Sequence, residues 1–350
     1  MFKSKINIAL FFGGRSAEHE VSLLSARSIY QAFNQKKYNI FPVAISKKGF
    51  FSTLEKSKEI LLGDEKRVPE LKRSNILPQA VLQFLEKEVD LVFPVLHGPF
   101  GEDGKIQGFL DTLNIKYIGC DLTSSAVGMD KAVMKQIFSY HNIPQSNFEI
   151  LKKDEYNNQK SSDFFADFAE SLGLPFFIKP ANMGSSIGIS RVENLASFKN
   201  ALRKAFKYDR KLILESSISG REVESAVLGA GNNIKVSTAG EIISTHDFYD
   251  YQAKYEDQST ELIIPAALSS KSKQKIKDLS VKAFKAIGAD GISRLDFFVN
   301  EEQDQVLVNE INTMPGFTKF SMYPLLFKES GITYTELLDK LVELALKKDS

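Results

Sequence analysis

The chain has 350 residues, 43% of them apolar and 25% charged, and its 45 Lys and Arg nearly balance its 44 Asp and Glu. This length predicts two or three domains, and a net charge of +1 leaves no field that would attract nucleic acid or a membrane surface. The single cysteine, Cys120, excludes an internal disulfide, which fits a reducing cytoplasm.

An apolar run at residues 6–12 leads into the turn Gly13–Gly14–Arg15. The run is short for the core of a signal peptide and lacks a cleavage site, so it predicts a buried parallel strand. No stretch of the sequence approaches the ~20 apolar residues of a membrane span. A helix is expected from about residue 18 to 33. Glu18, at its start, could receive a substrate ammonium group or interact only with the helix dipole.

The next elements are a strand at residues 40–45, a polar and aperiodic segment at 52–75, and a strand at 89–96. We interpret residues 52–75 as a surface excursion. The strand at 89–96 leads into His97 and a glycine-rich loop, and open α/β sheets bind ligands at the carboxyl ends of their strands. His97 is therefore interpreted as a site residue rather than as a structural histidine.

Residues 115–125 have the composition of a domain boundary, and Asp130 predicts the N-cap of a helix that runs to about residue 140. Lys131 and Lys135 lie one turn apart in this helix, on the same face. The helix is therefore expected to present two ammonium groups in one direction.

A helix at residues 161–172 and a strand at 176–178 precede Lys179, which opens a loop rich in Gly and Ser at 181–188. An ammonium group, backbone N–H groups and hydroxyls together suit a phosphate. The order differs from the Walker pattern, in which the lysine follows the glycines. A phosphate site is favoured here, and a plain hairpin turn is the alternative.

An amphipathic helix at residues 195–206 and a strand at 211–215 follow, and the chain continues to Glu222. A strand that leaves one domain for another can offer backbone groups to an adenine edge, and Glu222 could reach a ribose. Residues 244–261 form a long aperiodic segment whose aromatic residues argue against disorder, so a lid is predicted. A helix at 271–287 comes next.

Two strands near the end of the sequence carry the most informative pattern. In the first, Arg294, Asp296 and Phe298 share one face, because strand side chains alternate. The same alternation along the second strand predicts that one face carries Val306, Val308, Glu310 and Asn312. Leu307 and Ile311 are then on the opposite face. If the strands pair, Asp296, Glu310 and Asn312 converge as oxygen ligands of the kind that Mg²⁺ prefers. A solvent-facing charged hairpin is the alternative.

These motifs resemble those of the D-alanine–D-alanine ligases of the ATP-grasp superfamily, and the resemblance runs from end to end of the chain. The most specific stretches are residues 97–108 (HGPFGEDGKIQG), 294–296 (RLD) and 310–316 (EINTMPG). Residues 129–131 and 179–186 agree with the family in order and spacing. The resemblance implies an α/β, three-domain ATP-grasp fold with an N-terminal Rossmann-like domain.

By resemblance, residues 1–119 form the Rossmann-like domain, 120–214 the central ATP-grasp subdomain, and 215–350 the C-terminal subdomain with the metal site and lid. ATP is expected between the last two. The implied nucleotide contacts are Lys131, Lys179, Ser186, Glu215, Ile218, Glu222 and Phe248. In this set the lysines bind the phosphates, Glu215 and Ile218 contact the adenine, and Glu222 contacts the ribose.

The resemblance also implies contacts to two D-alanine molecules, from Glu18, His97, Lys254, Arg294, Gly316, Ser321 and Met322. Glu18 receives the ammonium group of the first D-alanine, whereas Lys254, Ser321 and the Met322 N–H hold the carboxylate of the second. The implied catalytic group is Glu18, Ser185, Tyr255, Arg294, Gly316 and Ser321. Two Mg²⁺ or Mn²⁺ ions are expected on Asp296, Glu310 and Asn312.

The implied reaction begins when the carboxylate of the first D-alanine attacks the γ-phosphorus of ATP and forms D-alanyl phosphate. The amine of the second D-alanine then displaces phosphate to give the dipeptide used in peptidoglycan. A bacterial cytoplasm and a homodimer follow from the resemblance, with D-alanine and ATP as partners and no nucleic acid or membrane. Two alternatives stay open: a D-alanine–D-lactate or D-serine ligase, and a nucleotide-binding regulator without catalysis.

Overall fold

The computed structural model describes residues 5–70, 78–156, 161–243 and 261–348. Within these ranges the chain forms three β-sheets with helices packed against them. None of the helices in the described ranges is long and apolar enough to cross a bilayer. The predicted lid lies outside the described residues except for its last residue, Glu261.

The first sheet contains three parallel strands in the order β2-β1-β3, namely β1 (Ile6–Gly13), β2 (Tyr38–Ile45) and β3 (Leu91–Val95). Its helices are α1 (His19–Ala32), α2 (Leu54–Leu62), α3 (Gln79–Lys87) and α4 (Lys105–Thr112). Side chains from Ile8 to Phe12 are fully buried, because separate apolar clusters cover the two faces of β1. The structure therefore confirms the buried parallel strand predicted at residues 6–12.

Residues 52–70, the described part of the segment 52–75, are not the surface excursion that their composition predicted, and residues 71–75 lie outside the described residues. Part of this segment forms α2, and Ser57, Ile60 and Leu61 are buried against the first sheet. The Ser57 hydroxyl accepts a hydrogen bond from the Ala44 N–H at 2.9 Å. The prediction was wrong because α2 has only nine residues. The helical spacing of Ser57, Ile60 and Leu61 is therefore a short signal, and one of its three members is polar.

The second sheet is antiparallel, with the order β4-β7-β5-β6: β4 (Phe148–Lys152), β5 (Phe176–Pro180), β6 (Ser190–Val192) and β7 (Lys211–Ser216). Its helices are α5 (Leu122–Met129), α6 (Lys131–Tyr140), α7 (Lys153–Tyr156), α8 (Ser161–Leu172) and α9 (Leu195–Ala205). Asp130 caps α6 as predicted, since its carboxylate accepts a hydrogen bond from the Val133 N–H at 3.2 Å. The domain boundaries near residues 119 and 214 stay predictions.

The third sheet is also antiparallel, with the order β10-β9-β8-β11-β12. Its strands are β8 (Arg221–Ala230), β9 (Asn233–Ile243), β10 (Glu261–Ile263), β11 (Gly291–Asn300) and β12 (Gln305–Asn312). Helix α10 (Ser270–Ala286) precedes β11, and α11 (Met322–Glu329) and α12 (Tyr334–Lys347) follow β12. The predicted helix at 271–287 is therefore confirmed to within a residue at each end.

The pairing of β11 with β12 confirms the predicted hairpin. Arg294 lies opposite Asn312, and Asp296 lies opposite Glu310. Along β11 the alternation is regular, so that Leu295 and the other odd-numbered apolar residues enter the core while Arg294 and Asp296 stay half-buried on the other face. The polar residues of both strands thus share one face of the sheet.

The faces of β12 differ from the prediction because the pairing contains a β-bulge. Glu310 pairs with Asp296, but the next pair skips to Val308, so Asn309 is the extra residue on this strand. Strict alternation would have placed Val306 and Val308 on the face of Glu310. Both valines instead lie in the apolar core, so the bulge lets one strand carry core residues first and polar site residues afterwards.

Helix α12 joins the third sheet to the first. Leu337, Leu338 and Leu341 of this helix are buried in the same apolar cluster as Leu10 and Phe93 of the first sheet. The Asp339 carboxylate also accepts hydrogen bonds from the Lys37 ammonium at 2.6 Å and the Tyr38 hydroxyl at 2.7 Å. The first and third sheets therefore share one core, whereas the second sheet has a core of its own.

Candidate active site

A cleft of about 590 Å³ lies where segments of all three sheets meet. Its lining includes charged and polar side chains, together with apolar residues of α1 and of the segment around Phe320. The predicted site residues that border it are Glu18, His97, Lys131, Ser185, Arg294, Glu310, Asn312, Gly316, Ser321 and Met322. The fold therefore gathers in one place residues that lie far apart in the sequence.

Glu18 stands immediately before α1 and faces the Gly/Ser loop of the second sheet. The Ser185 hydroxyl donates a hydrogen bond to the Glu18 carboxylate at 2.5 Å, which links the first sheet to the second. Gly98 leaves room for this contact, because a Cβ atom at that position would lie 2.7 Å from the Glu18 carboxylate. Gly98 also has φ +72°, a conformation that favours glycine.

His97 is buried and joins the first sheet to the loop after β12. Its Nδ1 donates to the Met314 carbonyl at 3.1 Å, and its Nε2 lies 3.0 Å from the Ser25 hydroxyl. The Glu102 carboxylate is 3.7 Å away. Burial lowers the pKa of His97, but the carboxylates of Glu102 and Glu18 outweigh that effect and raise it. The imidazole thus holds together two segments that border the cleft.

The loop after β5 connects two antiparallel neighbours, so its topology is that of the hairpin considered as the alternative to a phosphate site. Its backbone is nevertheless unusual, because Ser185 and Ser186 have φ values of 51° and 57°. Consecutive non-glycine residues in this left-handed region are uncommon and occur mostly at functional sites. Ser185 faces the cleft, and Ser186 is half-buried beside it.

Lys131, at the start of α6, projects into the cleft between the second and third sheets. Its ammonium group donates to the Met183 carbonyl at 3.0 Å and lies 3.1 Å from the Glu310 carboxylate. Burial alone would lower the pKa of Lys131, but the attraction of Glu310 raises it. Lys131 is therefore a fixed positive charge at the point where α6 meets β12.

Arg294 and Asp296 form a bidentate ion pair on the polar face of the hairpin. Nε and Nη2 of Arg294 donate to the two carboxylate oxygens of Asp296, each at 2.7 Å. The Arg294 Nε also lies 3.0 Å from the carboxylate of Glu224. Burial opposes the charge on the guanidinium, but Asp296 and Glu224 raise the pKa of Arg294 well above its usual value. The Asn312 amide completes the group, 3.2 Å from Asp296.

The polar face of the hairpin has the donor chemistry of a magnesium site. Asp296, Glu310 and Asn312 offer carboxylate and amide oxygens, which are the ligands of hard cations. In this structure Arg294 is the counter-ion of Asp296, and Lys131 is the counter-ion of Glu310. No cluster of three or more His, Cys, Asp or Glu side chains arranged for a metal occurs among the described residues. The predicted set contains two carboxylates and an amide.

Glu215, at the end of β7, is almost completely buried between two lysines. Its carboxylate lies 2.8 Å from the ammonium group of Lys135 and forms a second ion pair with that of Lys179. Burial alone would raise the pKa of Glu215, but the two cations lower it to about 2. The carboxylate is thus charged throughout the physiological pH range.

The loop after β12 is anchored in the core and borders the cleft. Phe317 is fully buried, and its N–H donates to the Ser25 hydroxyl at 3.3 Å. Ser321 accepts a hydrogen bond from the Thr318 N–H at 3.0 Å and lies just before α11. Gly316 fits closely, since a Cβ atom there would lie 2.9 Å from the Ser321 hydroxyl.

Some predicted site residues lie at the margin of this arrangement. Ile218 is half-buried after β7, and Glu222 is exposed on β8. Phe248, Lys254 and Tyr255 lie outside the described residues.

Sequence reasoning missed Lys135, Glu224 and Glu102 as members of the ion-pair networks. The helical spacing of Lys135 from Lys131 was visible, but its carboxylate partner was not. Glu102 stood inside the predicted His97 loop.

Comparison with known proteins identifies the family. One family model, described as the D-ala D-ala ligase N-terminus, matches residues 7–120, and a second, described as the D-ala D-ala ligase C-terminus, matches residues 137–343. The chain belongs to the D-alanine–D-alanine ligase family. As a member of this ligase family it is an ATP-dependent enzyme.

Curated relatives of this ligase match along almost their whole length. A D-alanine–D-alanine ligase of Halothermothrix orenii is 48% identical over 344 residues, which cover 98% of this chain and 99% of that protein. A D-alanine–D-alanine ligase of Bacillus pumilus is 42% identical over 351 residues, covering 98% and 97%. The family resemblance seen in the sequence motifs is therefore confirmed over the full chain.

Solved structures of the family have the same fold as this ligase. The D-alanine–D-alanine ligase of Coxiella burnetii superposes with a TM-score of 0.82 at 31% identity, over 98% of this chain and 94% of that one. VanG, a D-Ala:D-Ser ligase of Enterococcus faecalis, gives a TM-score of 0.81 at 34% identity, over 98% and 100%. The predicted α/β ATP-grasp fold is therefore confirmed.

Proposed function

We propose that this ligase joins two D-alanine molecules to D-alanyl-D-alanine through D-alanyl phosphate, as a step in peptidoglycan synthesis. The proposal rests on one observation, the meeting of three kinds of group in one cleft. Glu18 supplies an anion, Lys131 a cation, and Arg294 with Glu310 the polar face of the hairpin. The ammonium group of an amino acid needs an anion such as Glu18, a triphosphate needs a cation such as Lys131, and a developing oxyanion needs the Arg294 guanidinium. Glu310 is a proposed ligand of the metal ions that accompany the triphosphate.

In this proposal Glu18 receives the ammonium group of the first D-alanine. Its carboxylate lies at the edge of the cleft and is oriented by the Ser185 hydroxyl at 2.5 Å. A charge-assisted hydrogen bond of this kind is strong, so the amino group is fixed while the carboxylate of the substrate points toward the nucleotide. Tyr255, from the lid, would join Glu18 and Ser185, and His97 would border the same substrate.

The nucleotide is proposed to lie between the second and third sheets. Lys131 and Lys179 would hold the phosphates, with the backbone N–H groups of the loop around Ser186. Glu215 would meet the adenine. The remaining proposed nucleotide contacts are Ile218, Glu222 and Phe248.

Asp296, Glu310 and Asn312 are proposed to hold two Mg²⁺ or Mn²⁺ ions. When bound, these ions would reduce the repulsion between the attacking carboxylate and the γ-phosphate. Before they bind, Arg294 and Lys131 form ion pairs with the same carboxylates, so the protein keeps the proposed ligands in place. Arg294 would then be released from Asp296 toward the reacting carbonyl.

The second half-reaction is assigned to the loop after β12 and the start of α11. The Gly316 N–H and Arg294 would stabilise the negative charge on the carbonyl oxygen when the second amine attacks. Ser321, the Met322 N–H and Lys254 would hold the carboxylate of the second D-alanine. The N-terminus of α11 suits this role because free N–H groups there favour an anion.

We further propose that the ligase acts in the bacterial cytoplasm as a homodimer. Both features come from the family to which the chain belongs, and size-exclusion chromatography with light scattering measures the second. A mass of twice the 39.2 kDa of one chain is expected.

The second candidate function differs from the first in the acceptor substrate. VanG, with a TM-score of 0.81 to this chain, is a D-Ala:D-Ser ligase, so D-serine and D-lactate are candidate acceptors as well. We favour D-alanine because Lys254 and Tyr255 follow the pattern of the D-alanine ligases.

The decisive assay incubates the enzyme with ATP, Mg²⁺ and D-alanine and measures ADP and dipeptide together, with D-serine, D-lactate and L-alanine in parallel. Equal amounts of ADP and D-alanyl-D-alanine are expected. ADP without dipeptide would show that D-alanine is not the acceptor. Preferential formation of a product with D-serine or D-lactate would identify that compound as the acceptor instead. Absence of ADP formation would support a nucleotide-binding regulator.

Glu18→Gln tests the proposed substrate contact. The loss of a charged partner should raise KM for D-alanine about tenfold to a hundredfold while ATP binding is kept. Glu20→Gln is the matched control, because Glu20 lies two residues further on and pairs with Lys47 at 2.7 Å. Equal effects of the two substitutions would contradict the assignment of Glu18.

A further inference from the structure

The ion pairs of Glu215 with Lys135 and Lys179 contain one more positive charge than the carboxylate needs. The side chain of Glu215 is 4% exposed and that of Lys135 is 1% exposed. Lys135 also donates to the Ser146 hydroxyl at 3.0 Å. A lysine buried to this extent is costly unless its charge serves the protein, because desolvation opposes the charged form.

The two lysines differ in how far they can move. Lys135 lies in the middle of α6, enclosed by the second and third sheets, with Glu215 and Ser146 as its polar contacts. Lys179 lies near the end of β5, where the loop of Ser185 begins, and its side chain is 14% exposed. Lys179 can therefore turn toward a ligand in the cleft, whereas Lys135 cannot leave Glu215 without losing its partners.

We propose that Lys135 is a positioning residue: it is the permanent counter-ion of Glu215, and it allows Lys179 to leave that carboxylate for the phosphates of the nucleotide. This inference rests on the proposed role of Lys179 in phosphate binding. Without Lys135, the departure of Lys179 would leave a buried carboxylate with no cation beside it. The affinity for nucleotide therefore depends on a lysine that does not contact it.

The charged groups that face Glu215 come from two elements. Lys135 approaches from α6 and Lys179 from β5, and together they lower the pKa of the carboxyl against the effect of burial. Lys131 and Glu310 act on the same group of charges from a greater distance. With Lys135 removed and Lys179 on a phosphate, burial dominates, and Glu215 takes up a proton.

The test compares the wild-type ligase with Lys135→Met by titration calorimetry with ADP and Mg²⁺, in two buffers of different ionisation enthalpy. The variant should take up about one additional proton per bound nucleotide, measured relative to wild type at each pH. Its relative dissociation constant should rise up to about tenfold for each unit of increase in pH. Lys135→Gln keeps a hydrogen-bond donor without the charge and should behave in the same way, so it serves if the methionine variant does not fold.

Glu215→Gln provides the control, because an amide cannot take up the proton. The double variant Lys135→Met/Glu215→Gln should lose both the additional proton uptake and the pH dependence. A purely structural role for Lys135 predicts lower stability in both backgrounds and no proton uptake in either, and that result would overturn the proposal. Persistence of uptake in the double variant would overturn it as well.

Failure of this inference is distinguishable from failure of the proposed function. If the wild-type enzyme does not bind ADP and Mg²⁺ or does not turn over ATP, the proposed function fails. If it binds and turns over while the lysine variants bind without taking up a proton, only the role of Lys135 fails.

Discussion

The ion-paired carboxylate of Glu215 and those of the β11–β12 hairpin differ in what surrounds them. Glu215 is enclosed by Lys135 and Lys179, and its side chain is 4% exposed. Asp296 and Glu310 lie on the open face of a hairpin, with side chains 15% and 23% exposed. The same chemical group thus stands in a closed setting near β7 and in an open one on β11 and β12.

The difference indicates which carboxylates must always have a cation of the protein beside them. A buried carboxylate that loses a cation costs several kcal/mol, so the Glu215 region must be neutralised by the protein itself. On the hairpin, solvent can reach the carboxylates, so exchanging Arg294 or Lys131 for another cation costs less. The first arrangement suits a fixed recognition group, and the second suits a site that binds and releases ions in each catalytic cycle.

Removal of the β-bulge in β12 should have the largest effect on activity of the substitutions and deletions considered for the hairpin. Deletion of Asn309 forces β12 into regular alternation, so that either the core valines or Glu310 and Asn312 face the wrong side. We expect kcat to fall by at least about 10³-fold, because several charge-stabilising groups are misplaced together. Asn309→Ala keeps the number of residues and is the control. Steady-state kinetics of the two variants, with circular dichroism to verify folding, tests this expectation, and comparable activities would refute it.

A single substitution on the hairpin should mainly lower activity, whereas a substitution of Glu215 should mainly lower stability. Asp296→Asn removes a proposed ligand from an open face, so kcat should fall about 10²-fold or more with a change in unfolding free energy below about 1 kcal/mol. Glu215→Ala leaves Lys135 buried without its partner and should lower the free energy of unfolding by about 3–5 kcal/mol. Urea denaturation monitored by fluorescence, beside initial rates, measures both. The reverse pattern of effects would mean that exposure does not distinguish the two carboxylates.

His19 extends the comparison to a buried group that is neutral. Its Nδ1 donates to the Gly14 carbonyl at 2.8 Å, and its Nε2 accepts from the Val68 N–H at 3.1 Å, so protonation would break the second bond. Burial lowers the pKa of His19. The unfolded chain therefore takes up the proton first, and His19 should remove stability as pH falls below about 6.5, by up to ~1.4 kcal/mol per unit.

The contribution of His19 to the pH dependence of stability is measured as the difference in unfolding free energy between wild type and His19→Gln. His97 has a raised pKa and contributes in the opposite direction, losing stability as pH rises. Subtracting the unfolding free energies of His19→Gln from those of wild type between pH 5 and 8 isolates the effect of His19. A difference that does not change with pH would contradict the assignment of a buried neutral imidazole.

The sequence was sufficient for the regular parts of this fold. The alternation of Arg294 and Asp296 with apolar neighbours on β11 follows from strand geometry, and the cap of α6 follows from the chemistry of Asp130. Both depend on residues that are close together in the chain, and such local patterns can be recognised without knowing the tertiary structure.

The features that the sequence did not reveal depend on irregular backbone or distant partners. The bulge at Asn309 has no residue signal of its own, so the faces of Val306 and Val308 were predicted wrongly. The ion pair of Lys135 with Glu215 joins two domains of the prediction, and no periodicity relates them. The proposed roles of the cleft residues stay predictions until the substitutions above are measured.

The core shared by α12 and the first sheet has a consequence for biosynthesis. A ribosome releases β1 to β3 long before it adds Leu337 and its neighbours, so the apolar face that α12 will cover is exposed during most of translation. The second sheet has its own core and can close earlier. We therefore expect nascent chains that stop before Tyr334 to bind chaperones through the first sheet and to be degraded, whereas their central segment already resists proteolysis.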